Sequence, residues 1–115
     1  MSYTLRIEAA AKEQIYQQAL YYQEQFSSGL EDFIGCVEDT GEFLSQHPYV
    51  GRKVGGKPET VRILPLRAKS AAKRKAKNFP FSLVYRIDED QQTCFIYQLW
   101  PQRSRQDIQD PPDGA

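Results

Sequence analysis

The chain is poor in the residues that most catalytic and metal sites require. Among its 115 residues it has one histidine, His47, and two cysteines, Cys36 and Cys94, which lie 58 positions apart. One histidine and two distant cysteines do not make a zinc site. They also leave only a histidine beside the helix-ending Pro48 as a partner for a nucleophile. The sequence therefore predicts no metal, no cofactor and no histidine-based catalysis.

Long hydrophobic runs and a net charge are also missing. No apolar stretch is long enough to span a membrane, and the formal net charge is zero. The first residues, Met1 to Arg6, contain no basic region followed by an apolar stretch, so no export signal is visible. We therefore expect a cytoplasmic protein with no membrane partner, in which both cysteines stay reduced.

The charges that are present are unevenly distributed. Between Thr60 and Ile87 there is no acidic residue, and most of the carboxylates lie between Glu8 and Glu59. The basic residues of that segment are Arg62, Arg67, Lys69, Lys73, Arg74, Lys75, Lys77 and Arg86. This asymmetry predicts an acidic helical layer and a basic surface suited to nucleic acid or an acidic partner.

Hydrophobic periodicity predicts a strand followed by two helices. Residues 3–8 alternate as a half-buried strand does, and from Ala11 to Phe26 the apolar residues recur at helical spacing. A second helical stripe runs from Leu30 to Leu44 and ends at His47 and Pro48. The break around Ser27 to Gly29 is short, so the two helices should pack as an antiparallel hairpin.

The second half of the chain predicts strands. After a short extended piece near Val50 to Val54, strand candidates occupy about Glu59 to Leu66, Phe81 to Asp88 and Thr93 to Trp100. The predicted fold is α+β, with an N-terminal strand, a two-helix hairpin and a three-strand antiparallel meander that form one sheet with helices on one face. We expect a single domain over residues 1–108 and a disordered tail over 109–115.

Side-chain alternation predicts which residues face the helices. The aromatic and aliphatic set of each strand is expected on the helix side, and this set is Val61, Ile63, Phe81, Leu83, Tyr85, Ile87, Phe95, Tyr97 and Leu99. On that basis Arg62, Arg86 and Arg6 fall on the open face of the sheet. The sequence thus predicts an open sheet face that carries several arginines.

At this point the pattern resembles the RelE/ParE superfamily. The likeness rests on the helical start at residues 9–15, on Tyr21-Tyr22, on residues 30–33 and on the helix end at residues 46–48. It continues through the strand at residues 61–66, the run Phe79 to Ile87 and the basic residues 102–105. The resemblance covers about residues 3 to 108, and the run from Phe79 to Ile87 with the following strand and arginine pair is its most specific part.

The resemblance implies the toxin of a bacterial type II toxin–antitoxin pair, a growth-arresting protein neutralised by a cognate antitoxin. RelE-like members cleave mRNA in the ribosomal A site and stabilise the phosphate with Lys, Arg and Tyr. Arginine alone can offset charge in such a transition state. ParE-like members bind and poison DNA gyrase and are not enzymes themselves.

Carried over residue by residue, the resemblance gives an incomplete nuclease site. Arg103 matches the C-terminal catalytic arginine, and Arg62 matches one basic strand residue. The positions of two other basic residues are taken by Leu64 and Ser82, and Gln109 lies near the expected tyrosine. The missing residues favour gyrase poisoning. The alternatives are a ribosome-dependent endoribonuclease that uses Arg62, Arg86 and Arg103, and a degenerate member that only binds its antitoxin.

One segment departs from the family. Between Leu66 and Phe79 members often have only a few residues, whereas this chain has a basic run from Arg67 to Asn78. Such a run can bind gyrase, RNA phosphates or an acidic antitoxin, and it can equally be a solvated loop. The residues proposed for target or nucleic-acid binding are Arg67, Lys69, Lys73, Arg74, Lys75, Lys77, Trp100 and Arg105. For Trp100, packing against the sheet is the competing interpretation.

Overall fold

The computed structural model describes residues 2–67, 79–102 and 108. The helices and strands follow the order expected from the sequence, with one additional short strand. They are β1 (Thr4–Ile7), α1 (Ala9–Gln25), α2 (Gly29–Gln46), β2 (Arg52–Lys53), β3 (Val61–Pro65), β4 (Phe81–Asp88) and β5 (Thr93–Pro101). The α+β architecture, the helical hairpin and the antiparallel meander of β3, β4 and β5 are thereby confirmed.

The two helices bury the stripes that their periodicity predicts. In α1 the buried residues Ala11, Ile15, Ala19 and Tyr22 recur every three or four positions. Gly29 begins α2 where the chain turns back against α1, and a Cβ there would lie 2.0 Å from the carbonyl oxygen of Tyr22. A glycine is therefore needed for the close approach of the two helices.

The sheet joins the two ends of the chain. Its five strands lie in the order β1-β5-β4-β3-β2. β1 pairs in parallel with the first half of β5, from Thr4 opposite Thr93 to Ile7 opposite Ile96, and all other pairs are antiparallel. The alternation within β1 identified the strand but could not identify its neighbour, because β1 and β5 are far apart in sequence.

One face of the sheet is covered by both helices. Leu83, Tyr85 and Ile87 of β4 belong to the same buried cluster as the helix residues Ile15 and Phe33. The cluster is extended by an aromatic group in which the ring of Phe79 lies 4.7 Å from that of Tyr22 and 5.4 Å from that of Phe33. The Phe79-Pro80-Phe81 run is therefore part of the core.

The second face of the sheet carries its own hydrophobic cluster. Val61, Ile63, Val84, Tyr97 and Trp100 are at most 7% exposed. Val54 and Ile108 pack against this cluster. Among the described residues the cluster contains no helix residue, so each face of the sheet has a separate core.

The predicted side-chain facing was wrong for β3 and for most of β5. Val61 lies opposite Arg86 and Arg62 lies opposite Tyr85, which places Arg62 on the helix side and Val61 on the second face. In β5 the helix-side cluster contains Cys94 and Ile96, while Tyr97 belongs to the second face. Both faces are apolar, so an aliphatic residue does not identify the helix side.

A bulge explains why Leu99 nevertheless faces the helices as expected. Between Val84 and Tyr85 the register shifts, so that Tyr85 pairs with Ile96 but Val84 pairs with Gln98. The extra residue, Tyr97, reverses the alternation of the second half of β5. Leu99 consequently joins the helix-side cluster together with Leu83.

Several predictions fall on residues outside the described ranges. These include the basic residues Lys69, Lys73, Arg74, Lys75 and Lys77, together with Arg103, Arg105 and the tail 109–115. In the ranges that are described, no helix is long and apolar enough to cross a membrane. The same ranges contain no cluster of three or more His, Cys, Asp or Glu residues arranged to hold a metal.

Candidate functional site

Arg86 and Arg6 lie on the second face of the sheet, as the sequence predicts. Both pair with Phe95 of β5, Arg6 from one side and Arg86 from the other. The guanidinium of Arg86 lies 4.5 Å from the centroid of the Phe95 ring and 3.7 Å from the carboxylate of Asp88. The two arginines therefore form a small basic site beside the hydrophobic cluster of this face.

Arg62 lies on the other side of the sheet and is bound to the main chain. It is 8% exposed, its Nη1 donates to the carbonyl oxygen of Gly51 over 3.1 Å and its Nε donates to that of Glu59 over 2.9 Å. The carboxylate of Glu59 lies 3.8 Å from Arg62 and 3.1 Å from Lys53. The hydrogen bond from Lys53 lowers the pKa of Glu59. These contacts give Arg62 a role in holding the loop that precedes β2.

The same loop is held from the sheet by Tyr85. Its buried hydroxyl donates to the carbonyl oxygen of Pro48 over 2.8 Å and accepts from the N–H of Gly51 over 3.0 Å. Burial raises the pKa of Tyr85 to about 12. A Cβ on Gly51 would lie 2.5 Å from the Tyr85 hydroxyl, so the loop can approach this closely only with glycine at position 51.

Arg67, where the basic segment begins, lies against α2. Its N–H donates to Oγ1 of Thr40 over 2.9 Å, and its guanidinium stacks 3.8 Å from the centroid of the Phe43 ring. Asp39 and Glu42 of α2 line a cavity of about 150 Å³ next to it. The beginning of the basic segment is therefore attached to an acidic part of the helical layer.

That acidic layer is a confirmed prediction. The residues of α1 and α2 include Lys12 as their one basic residue and several carboxylates. The acidic residues of the two helices are Glu13, Glu24, Glu31, Asp32, Glu38, Asp39 and Glu42. The helical side of the protein is thus suited to a basic partner surface.

The candidate cations are not brought together by the described part of the chain. Arg62 and Arg86 lie on opposite faces of the sheet, and Arg67 lies beside α2. Trp100 is 7% exposed and belongs mainly to the second hydrophobic cluster, which agrees with the packing interpretation. The roles proposed for Arg103, Arg105 and the basic residues between 69 and 77 stay predictions.

A cleft at the edge of β5 was not foreseen from the sequence. β1 pairs with β5 only as far as Ile96, and beyond it the side chain of Gln14 accepts a hydrogen bond from the N–H of Leu99 over 2.9 Å. Next to this contact is a cavity of about 430 Å³. Its lining residues are Glu13, Gln14, Gln17, Gln18, Phe81, Gln98, Leu99, Trp100 and Pro101. The one available signal was the group of three glutamines at helical spacing in α1.

Solved structures with a similar fold are toxins and toxin–antitoxin complexes. The isolated E. coli RelE toxin matches with a TM-score of 0.58 and 15% identity, covering 90% of this chain and 89% of that one. The chromosomal ParDE system of P. aeruginosa matches with a TM-score of 0.55 and 19% identity, covering 87% and 96% of the two chains. The RelBE2 complex of Mycobacterium tuberculosis gives 0.55 and 17%, covering 88% and 99%. The chain therefore has a RelE-like fold.

The sequence itself identifies the family. The profile of the ParE toxin of the type II toxin–antitoxin system parDE matches residues 5–106, which is nearly the whole chain. The chain belongs to this family of toxins, as its resemblance to the RelE/ParE superfamily implied. No curated protein sequence matches it.

Proposed function

We propose that this protein arrests bacterial growth by binding and poisoning DNA gyrase, without catalysing a reaction itself. The observation that supports this function most strongly is the separation of Arg62 and Arg86. Arg62 is buried on the helix side with two of its donors bound to carbonyl oxygens, whereas Arg86 is on the second face. RNA cleavage by arginine requires cations that converge on one phosphate, because the developing charge spreads over its oxygens.

The neutral residues in the described strands support the same proposal. Ser82 and Leu64 occupy the positions at which the resemblance to RelE-like nucleases calls for basic side chains. Ser82 is buried opposite Trp100, and Leu64 packs against the helix-side core. Neither side chain can supply a positive charge to a phosphate. A function that depends on binding requires no such set of cations.

The first experiment samples mRNA and DNA topology from the same culture. The protein is induced in a bacterial host, and total RNA and plasmid supercoiling are analysed within minutes. We expect intact mRNA and altered plasmid topology. A matched control is Leu83→Asp, which introduces a charge at a fully buried position of the helix-side core and should abolish growth arrest together with the fold. Fragmented mRNA with normal supercoiling would instead identify the ribosome-dependent endoribonuclease.

A purified system tests the target directly. Supercoiling of relaxed plasmid by gyrase is followed with increasing amounts of the protein, and a parallel reaction contains programmed ribosomes and mRNA. Inhibition of gyrase with uncut mRNA is the expected result. If gyrase is unaffected and mRNA is cut only on the ribosome, the proposal is wrong. If neither changes and induction does not slow growth, the chain is the degenerate antitoxin-binding member.

We further propose a cognate antitoxin as the first partner of the chain. Family membership supports this, and the solved relatives include complexes of a toxin with its antitoxin. The test is co-expression with the open reading frame adjacent to the toxin gene. Growth should recover and the two proteins should copurify as one complex. Recovery of growth without a complex would contradict neutralisation by direct binding.

A further inference from the structure

The cleft at the edge of β5 contains a buried acceptor that has no partner. Oε1 of Gln98 is inaccessible to solvent and accepts no hydrogen bond. An unpaired buried carbonyl is unfavourable, and such groups are rare in folded proteins unless they serve a ligand or a solvent molecule. Because Gln98 also lines the cavity beside α1, a ligand in that cavity is well situated to supply the missing donor.

The remaining lining residues favour a positively charged donor. Glu13 brings a carboxylate, and none of the lining residues is basic. Nε2 of Gln17 donates to Oε1 of Glu13 over 2.9 Å, and this contact orients the carboxylate next to the cleft. A carboxylate accepts several hydrogen bonds, so it retains capacity for a ligand.

The walls of the cleft suit a long side chain with a flat polar end. Phe81, Leu99 and Trp100 contribute apolar surface along which methylene groups can pack. An arginine side chain combines such a stem with five donors in a planar group, and its charge is weakly hydrated compared with that of an ammonium. A lysine ammonium offers a compact, strongly hydrated charge that fits a partly apolar wall less well.

From these contacts we propose that the β5-edge cleft binds an arginine side chain of a partner polypeptide. The guanidinium donates to Oε1 of Gln98 and to the carboxylate of Glu13, while its stem lies along the apolar wall. Glu13 and Gln98 are specificity-determining residues of this site. The cleft does not include Arg62 or Arg86, so its occupancy is independent of whether gyrase is the target of the toxin.

The site can be tested with a small probe, because Trp100 is the only tryptophan of the chain. Its fluorescence is recorded during titration with N-acetyl-L-arginine methylamide, with the lysine analogue and with the neutral citrulline analogue. We expect a saturable change with the arginine probe and binding of the citrulline probe that is at least about tenfold weaker, since a charge-assisted hydrogen bond is lost. Equal responses to arginine and citrulline, or no response to either, would overturn the proposal.

Two substitutions separate binding from folding. Gln98→Met removes the unpaired acceptor and should weaken the arginine probe at least about fivefold while leaving the thermal midpoint unchanged or higher. Gln91→Met makes the same change in the exposed β4–β5 turn and should alter neither property. A Gln98→Met protein that binds the probe like the parent would refute the site. A lower midpoint than that of Gln91→Met would reveal an internal partner of Gln98 and would also refute it.

Discussion

The two faces of the sheet are closed in different ways. On one face, both helices cover Leu83, Tyr85 and Ile87, and the core includes a group of aromatic rings. On the other face, Val54 and Ile108 are the additional residues that pack against the cluster formed by the strands themselves. The two clusters are nevertheless equally inaccessible to solvent, because Val84 on the second face is as fully buried as Leu83 beside it.

This comparison changes where a functional surface can lie. A sheet face that is largely filled with apolar side chains has little room for a row of arginines. The charged and polar groups are therefore displaced to the margins, with Arg6 and Arg86 beside Phe95 on one strand end and Gln98 at the edge of β5. Partners of this protein should meet the margins of the sheet and the acidic helices.

The largest expected effect comes from matched cavities on the two faces. Ile87 is 2% exposed on the helix side, and Ile63 is 4% exposed on the second face. Each of Ile87→Ala and Ile63→Ala should lower the free energy of unfolding by roughly 2 to 5 kcal/mol, because both remove buried groups and leave a cavity. Urea denaturation of the two variants measures the difference. A cost below about 1 kcal/mol for Ile63→Ala would show that the second face is not a core in solution.

A second prediction concerns alkaline pH and the helix-covered face. Burial raises the pKa of Cys94 from 9.0 to about 11 and that of Tyr85 from 10.0 to about 12. Both groups therefore hold their protons more tightly in the folded state than in the unfolded state. Their contribution to stability is complete below pH 9 and is lost as the pH rises through 9 to 11 for Cys94 and through 10 to 12 for Tyr85.

The size of this effect can be measured by urea denaturation at several pH values. By pH 11 the ionisation of Cys94 should have removed about 2 kcal/mol of stability. Cys94→Ala should flatten the dependence between pH 9 and 11, and Tyr85→Phe should flatten it above pH 10, although both lower stability at neutral pH. An unchanged slope in both variants would assign the alkaline loss to other groups.

The smallest expected effect separates the two arginines. Arg62→Met leaves the carbonyl oxygens of Gly51 and Glu59 without their donors and should cost roughly 1 to 3 kcal/mol. Arg86→Met removes an ion pair and a ring contact near the surface and should cost less than about 1 kcal/mol. Thermal denaturation of the two variants gives the comparison. Equal costs would contradict the structural role assigned to Arg62.

Much of the fold could be predicted from periodicity. The helix bounds and the bounds of β4 follow directly from spacings and turn residues, because each is a local property. The pairing of β1 with β5 is not local, and nothing in either strand alone specifies it. The facing of β3 failed for a related reason, since Val61, Ile63 and Leu64 are apolar on both sides of the strand.

The candidate site was less predictable than the fold. Residue type correctly drew attention to Arg62, but its hydrogen bonds end on main-chain carbonyls of a loop whose path depends on Tyr85 and Gly51. The bulge at Tyr97 likewise depends on two strands together. Gln98 gave no sequence signal, because its importance lies in an absent partner and not in its type.

The parallel pairing of β1 with β5 also affects how the chain is completed during synthesis. The strand made first can take its place in the sheet only after residues 93–96 have been made, since β5 is its neighbour. Strands β3 and β4 can pair earlier, but the edge formed by β1 depends on a contact that spans most of the sequence. A nascent chain released too early, or a transcript cut before this region, would therefore yield an unfinished sheet. The architecture makes the mature protein dependent on nearly full-length translation.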